Sequence, residues 1–266
     1  MTDRDLARIR AMARWVAEAT ATRIEPWRFG TAILTDDFPR RYDSNVVRVE
    51  RPLDGAGPPE LVGEADRVLG HLQHRELIVE DGDVGARLVE GFRELGYDAD
   101  RYLTMVQRPD VAAAADAPAV VEVDAALLHP AVVATNLAIP TMSPEDARML
   151  ADFRTVAATR AGARFFAVEL DGVIAAYCEL YLHAGVAQVE DVNTLEAWRN
   201  RGAGRAVVRG AVAAARAAGA DLVWLVADAD DWPKRLYEKL GFEPLATSWQ
   251  FTKVLEPPPG SERNAP

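Results

Sequence analysis

The chain has one cysteine, Cys178, in 266 residues, so no internal disulfide can form. A lone thiol fits a reducing compartment, and a cytoplasmic location is expected. No apolar run approaches the roughly 20 residues that a membrane-spanning helix needs. The N-terminal residues are polar and charged, without the apolar core of a leader. No membrane association is expected. Positive charge is in short supply, with 30 Lys and Arg against 41 Asp and Glu and a formal net charge of −11. A polyphosphate chain would be repelled, which argues against nucleic-acid binding. A small anionic ligand at a local basic site stays compatible with that charge. Histidine is scarce too. His71, His74, His129 and His183 offer no metal-ligand spacing beyond His71-x-x-His74. That pair is expected on an exposed helix, solvated, and no metal is expected.

What is present is a chain that is 49% hydrophobic and long enough for one large domain or two small ones. Leu6, Ile9, Met12, Ala13 and Val16 recur at helical spacing, so residues 3–20 read as an amphipathic helix. Strands are expected at 31–34, 46–49, 76–79 and 100–107. Helices are expected at 59–73 and at 83–95, the second ended by Gly96. Residues 109–118 are small, apolar and Pro-bounded, and within them 111–118 reads as a linker between domains at 1–110 and 119–255. The second part has a strand at 120–123 and a helix at 125–138. Ser143-Pro144-Glu145-Asp146 starts another helix, with an N-cap, a proline at N1 and acids in the first turn. Strands at 164–170 and 173–182 flank Asp171-Gly172, a tight hairpin signal. A third strand covers 186–194. The tail, 256–266, is expected to be disordered.

The most informative stretch is 190–242. After the strand at 186–194 come Trp198-Arg199-Asn200-Arg201-Gly202-Ala203-Gly204-Arg205 and an Ala/Val-rich helix. A strand at 222–226 and then Arg235-Leu236-Tyr237-Glu238-Lys239-Leu240-Gly241-Phe242 follow. A helix N-terminus has unpaired N–H groups and the positive end of a dipole. Glycines there let a phosphate approach the backbone. The residues alone fit either a diphosphate cradle or an ordinary Gly-containing turn.

Arg199-x-x-Gly202-x-Gly204 between strand and helix, followed by Leu236-Tyr237-Glu238-Lys239-Leu240-Gly241-Phe242, resembles the GNAT N-acetyltransferase superfamily over about residues 119–254. The resemblance implies an α/β GNAT fold, a mixed central sheet flanked by helices. It implies acetyl-CoA as co-substrate and direct transfer of the acetyl group to a primary amine. Arg199, Asn200, Arg201, Gly202, Ala203, Gly204 and Arg205 would hold the diphosphate. Val192, Asn193 and Thr194 would bond the pantetheine arm through their backbone. Tyr237 would protonate the leaving thiolate. Asp231 stands where the family often has Asn, which puts a pantetheine contact from it in doubt. Glu190 matches a position where many relatives carry an acid and is the expected base. Adjacent strand residues point to opposite faces, so Glu190 is expected to share a face with Gln188 and Val192, and Asp191 to lie on the other.

A shorter echo links the two parts. Leu77-Ile78-Val79 with Phe92-Arg93-Glu94-Leu95-Gly96-Tyr97 parallels Leu225-Val226-Ala227 with Tyr237-Glu238-Lys239-Leu240-Gly241-Phe242. It implies a tandem of two GNAT-like domains, the first without catalysis, since Phe92 replaces the tyrosine and Pro58-Pro59 follow a loop of different spacing. The competing reading is a non-catalytic acyl-CoA-binding module. The amine acceptor and the choice between monomer and homodimer are not legible.

Overall fold

The structure, a computed structural model, describes residues 3–107 and 118–255. The linker expected at 111–118 lies outside these apart from Pro118, as does the tail. Among the described residues no helix is long and apolar enough to cross a membrane.

Apolar periodicity sets most elements. α1 (Asp3–Thr20) buries Ile9 and Met12, one stripe of the repeat. β1 (Arg23–Trp27) and β2 (Gly30–Leu34) form a hairpin. β1 was not expected, and it carries Pro26. It lies at the sheet edge, where a missing N–H costs no ladder bond. A 3-10 turn at Tyr42–Ser44 precedes β3 (Val46–Val49). α2 (Pro58–Leu69) stops short of the expected 73, and β4 (His74–Val79) takes over.

His74 is therefore a strand residue with no exposed surface, not a solvated helix residue. Its Nε2 donates to Asn45 O at 3.0 Å and its ring stacks on Tyr42 at 4.2 Å. Burial pushes its pKa down to about 4, so the ring is neutral at pH 7. α3 (Gly82–Glu94) starts at Asp81, whose carboxylate accepts from the amides of Asp83 and Val84. β5 (Asp98–Gln107) follows.

The second part runs β6 (Val121–Val123), α4 (Ala125–Leu137), α5 (Pro144–Ala161), β7 (Arg164–Leu170), β8 (Val173–His183) and β9 (Val186–Thr194). It continues with α6 (Ala203–Ala217), β10 (Leu222–Asp228), α7 (Pro233–Lys239) and β11 (Phe242–Val254). Ser143 caps α5 by accepting from Asp146 N at 3.0 Å, as its sequence predicts. Asp171 and Gly172 both have positive φ, the condition for the tight β7–β8 turn.

The strands form one mixed sheet in the order β1-β2-β3-β4-β11-β5-β10-β9-β8-β7-β6. The order is nearly the same read outward from its centre. β3·β4 and β9·β10 are the parallel pairs, and each is followed in sequence by one helix and one more strand. Those last strands are exchanged. β5 pairs with β10, and β11 pairs with β4. β5 and β11 also pair with each other, from Phe242↔Gln107 to Thr252↔Asp98. Strand alternation puts α2, α3, α6 and α7 on one face, where Phe92 of α3 and Val207 of α6 share clusters with Phe251 and Val223 of the sheet. α1, α4 and α5 cover the other face, where Ile9, Phe153, Tyr181 and Trp224 meet.

Candidate functional site

The start of α6 is open. Gly202, its N-cap, has φ +83°, and no side chain caps the first turn. Asn200 also has positive φ, at 63°. Together they turn the chain so that the first amides of α6 lack side-chain partners, which is the arrangement an anion needs. Gly204 is required for a second reason. A Cβ there would lie 2.7 Å from Thr194 Oγ1, so α6 packs directly against the end of β9. Arg199, Asn200, Arg201, Gly202 and Arg205 are exposed, while Ala203 is buried. Arg201 lies over the Trp198 ring at 4.7 Å. Among the described residues, Arg199, Arg201 and Arg205 have no acidic partner. The unfilled turn and the unpaired guanidinium groups fit a diphosphate.

Below the turn the sheet splits. The parallel register of β9 with β10 runs through Leu222↔Val186, Val223↔Ala187 and Trp224↔Gln188, and stops there. Both strands continue, β9 to Thr194 and β10 to Asp228, so their facing edges part. β9 bulges in the same stretch. Asp191 has φ +49°, and the register jumps from Glu179↔Glu190 to Tyr177↔Asn193.

The bulge corrects the strict alternation expected for this strand. Glu190 shares a face with Gln188, whose amide donates to it. Asp191 lies on that face as well, in an ion pair with Arg154 of α5. Val192 instead packs with the cluster under α6.

Glu190 is half-buried and lines a cavity of about 430 Å³ between the two parts of the chain. Desolvation pushes its pKa up to about 7, with Glu179 and Asp43 adding to the rise and Gln188 and Arg41 opposing it. Glu179 has its own partners. Tyr181 OH donates to Oε2 at 2.6 Å, and Arg154 Nε lies 2.9 Å from Oε1. Arg41 stacks over Phe153 at 3.9 Å and bonds Asp43 at 3.0 Å. Of this set, Glu179, Arg154 and Arg41 carry no motif and escaped the sequence reading. One signal was available: Glu179 is a carboxylate inside an apolar strand, and such a group needs a partner.

Tyr237 is buried on the α6–α7 side of the sheet, its ring 6.1 Å from that of Phe242. Burial, then Glu190 and Cys178, push its phenol well above the usual range, so it is neutral at pH 7. Cys178 is a packed thiol, with Sγ 3.7 Å from Val207 O, and burial raises its pKa likewise. Asp231 is exposed, and its carboxylate accepts from the amide of Trp232 at 2.6 Å.

Residues 134–242 match the model of the acetyltransferase (GNAT) family. No curated protein matches the chain. A functionally unknown conserved protein from Staphylococcus epidermidis has a similar structure, with a TM-score of 0.67 and 16% identity over 84% of this chain and 90% of its own. A GCN5-related N-acetyltransferase from Kribbella flavida superposes with a TM-score of 0.59 and 20% identity, over 94% of this chain and 93% of its own. A tandem GNAT protein from the clavulanic acid biosynthesis pathway gives 0.53 and 16%, over 79% and 75%. At these identities the likeness is one of fold. The sheet and its parted parallel strands thus give the chain a fold like that of a tandem GNAT protein, and within it residues 134–242 are similar in sequence to the GNAT acetyltransferase family.

Proposed function

We propose that the protein transfers an acetyl group from acetyl-CoA to a primary amine, directly, within a ternary complex. The observation that carries this reading is the parting of β9 from β10 after Gln188/Trp224, with an uncapped start of α6 following β9 and a cavity at Glu190.

The first-turn amides from Arg199 to Arg205 hold the diphosphate. The edge of β9 left unpaired by β10, at Val192, Asn193 and Thr194, bonds the pantetheine arm. Asp231 is spent on Trp232 N, so its carboxylate contributes less. The backbone N–H near Val192 polarises the thioester carbonyl. Glu190, with a pKa near neutrality, takes a proton from the amine, directly or through water. The C–N bond forms, the C–S bond breaks, and the leaving thiolate takes the proton of the Tyr237 phenol. Cys178 has no part in the transfer, because a buried, protonated thiol is a poor nucleophile.

The test is thiol release from acetyl-CoA in the presence of a panel of primary amines. Amine-dependent release by the wild-type chain is expected. Tight CoA binding with no amine-dependent release would reduce the protein to a binding module.

A further inference from the structure

The cavity at Glu190 does not end at the catalytic carboxylate. A second cavity, about 510 Å³, adjoins it, and both include Arg41, Asp43 and Gln250 in their walls. The second one lies over the exchanged strands. Register places Thr252 beside both Glu76 and Asp98, and Gln250 beside Asp100, all on the same face.

Charges in the combined space do not balance. Arg40 pairs with Asp146, Arg41 with Asp43, Arg154 with Glu179 and Asp191, and Arg10 and Arg48 share Glu80. Glu76, Asp98 and Asp100 have no ion-pair partner among the described residues. Glu76 is the anomaly. It is only 1% exposed, it lines the second cavity, and its Oε1 has no hydrogen-bond partner. A buried carboxylate without a counter-charge is costly. Gln250 and Thr252 lie beside it and offer neutral hydrogen bonds only. Arg41 and Asp43 act on both Glu76 and Glu190, so the two carboxylates belong to one electrostatic field.

We propose that Glu76, Asp98 and Asp100 form a second cation subsite, so that the acceptor is a polyamine-like molecule with a second positive centre remote from the amine that reacts at Glu190. The proposal rests on the acetyl-transfer reading for the location of the reacting amine. The subsite itself can be tested without turnover. The counter-charge missing from Glu76 comes from the acceptor. Its carboxyl, raised by burial to about 8, gives up a proton when the cation arrives. Asp98 and Asp100, at the open side, hold the rest of the chain of charges. The subsite is assembled from β4, β5 and β11, which come together only because the last strands of the two parts are exchanged.

The experiment is calorimetric titration of the full chain with spermidine and, separately, with propylamine, followed by thiol-release assays with both. Spermidine is expected to bind at least tenfold more tightly than propylamine. Glu76→Gln should weaken spermidine binding about tenfold while CoA affinity stays unchanged, showing that the fold is intact. Asp100→Asn, at an exposed position, should weaken it by a smaller factor and serves if Glu76→Gln fails to fold. Equal binding of the two amines would overturn the subsite, as would spermidine binding indifferent to both variants. Glu76-dependent spermidine binding without thiol release would sustain the subsite and sink acetyl transfer. Thiol release with propylamine as efficient as with spermidine would sustain transfer and sink the subsite.

Discussion

The two parts of the chain share an arrangement and differ at the points where chemistry is possible. Each has a parallel strand pair, a helix leaving the first strand, a second helix after the partner strand, and a Leu-Gly-aromatic turn. Gly96 and Gly241 take φ +78° and +81° at that turn. In the N-terminal part β3 pairs with β4 to its last residue, Val49↔Val79, and no cleft opens. In the C-terminal part the equivalent pair separates after three steps of register. α2 begins with Pro58 and Pro59, which have no N–H to offer an anion, while α6 begins with Ala203 and Gly204. Phe92 is fully buried and stacks on Phe251 at 4.1 Å, where the other part has Tyr237. The two parts thus share an outline and differ by two prolines, one hydroxyl and the closure of a strand pair. The N-terminal part has a cavity of about 920 Å³ beyond the ends of β3 and β4, but no parted strands lead into it.

The largest effect that separates the two parts should come from Glu190→Gln. It removes the proposed base and should lower kcat by roughly 10²-fold or more, with CoA affinity retained. The pH profile sharpens this. A base must be ionised to act, and the pKa of Glu190 is raised to about 7, so in the proposed mechanism wild-type kcat/KM should rise as pH increases through 7. Stability moves the other way. The folded carboxyl binds a proton more tightly than the unfolded one, so its contribution is full below the unfolded pKa and is lost as pH rises through 7. Glu190→Gln should flatten both dependences. A profile in which activity falls through this range would remove Glu190 as base.

Tyr237→Phe makes the C-terminal part like the N-terminal one at that position. A drop in kcat of about tenfold to 10²-fold is expected, with little change in CoA affinity. Unaltered turnover would remove the phenol from the mechanism. Phe92→Tyr is the reverse change and the smallest effect. It should confer no activity, and it should cost about 1–3 kcal/mol in urea unfolding, because a hydroxyl enters a packed aromatic cluster. A neutral result would mean that the buried site has a polar partner to spare.

Local patterns made much of the fold legible. Helix stripes at Ile9 and Met12, the Ser143-Pro144 start and the Asp171-Gly172 turn depend on neighbours in sequence, and each stands where expected. The open turn at Gly202 was readable for the same reason. Three features were not. The edge strand at Pro26 is permitted only by its place in the sheet. The exchange of β5 and β11 joins residues more than a hundred apart. The bulge at Asp191 breaks the two-residue period on which the facing of Asp191 and Val192 was inferred. The cavity side chains Arg41 and Asp43, Arg154 and Glu179 come from three separate segments, so no spacing in sequence could assemble them.

The central claim is that the start of α6 binds the diphosphate and the start of α2 does not. Calorimetric titration with CoA tests it on the wild-type chain, on Gly202→Val, and on a Pro58→Ala, Pro59→Ala double variant. A β-branched residue at φ +83° is strained by about 1–3 kcal/mol and also crowds the cradle. One CoA per chain is expected, weakened at least about tenfold by Gly202→Val and unaffected by the double variant. Two CoA per chain, or a site indifferent to Gly202→Val, would contradict the account.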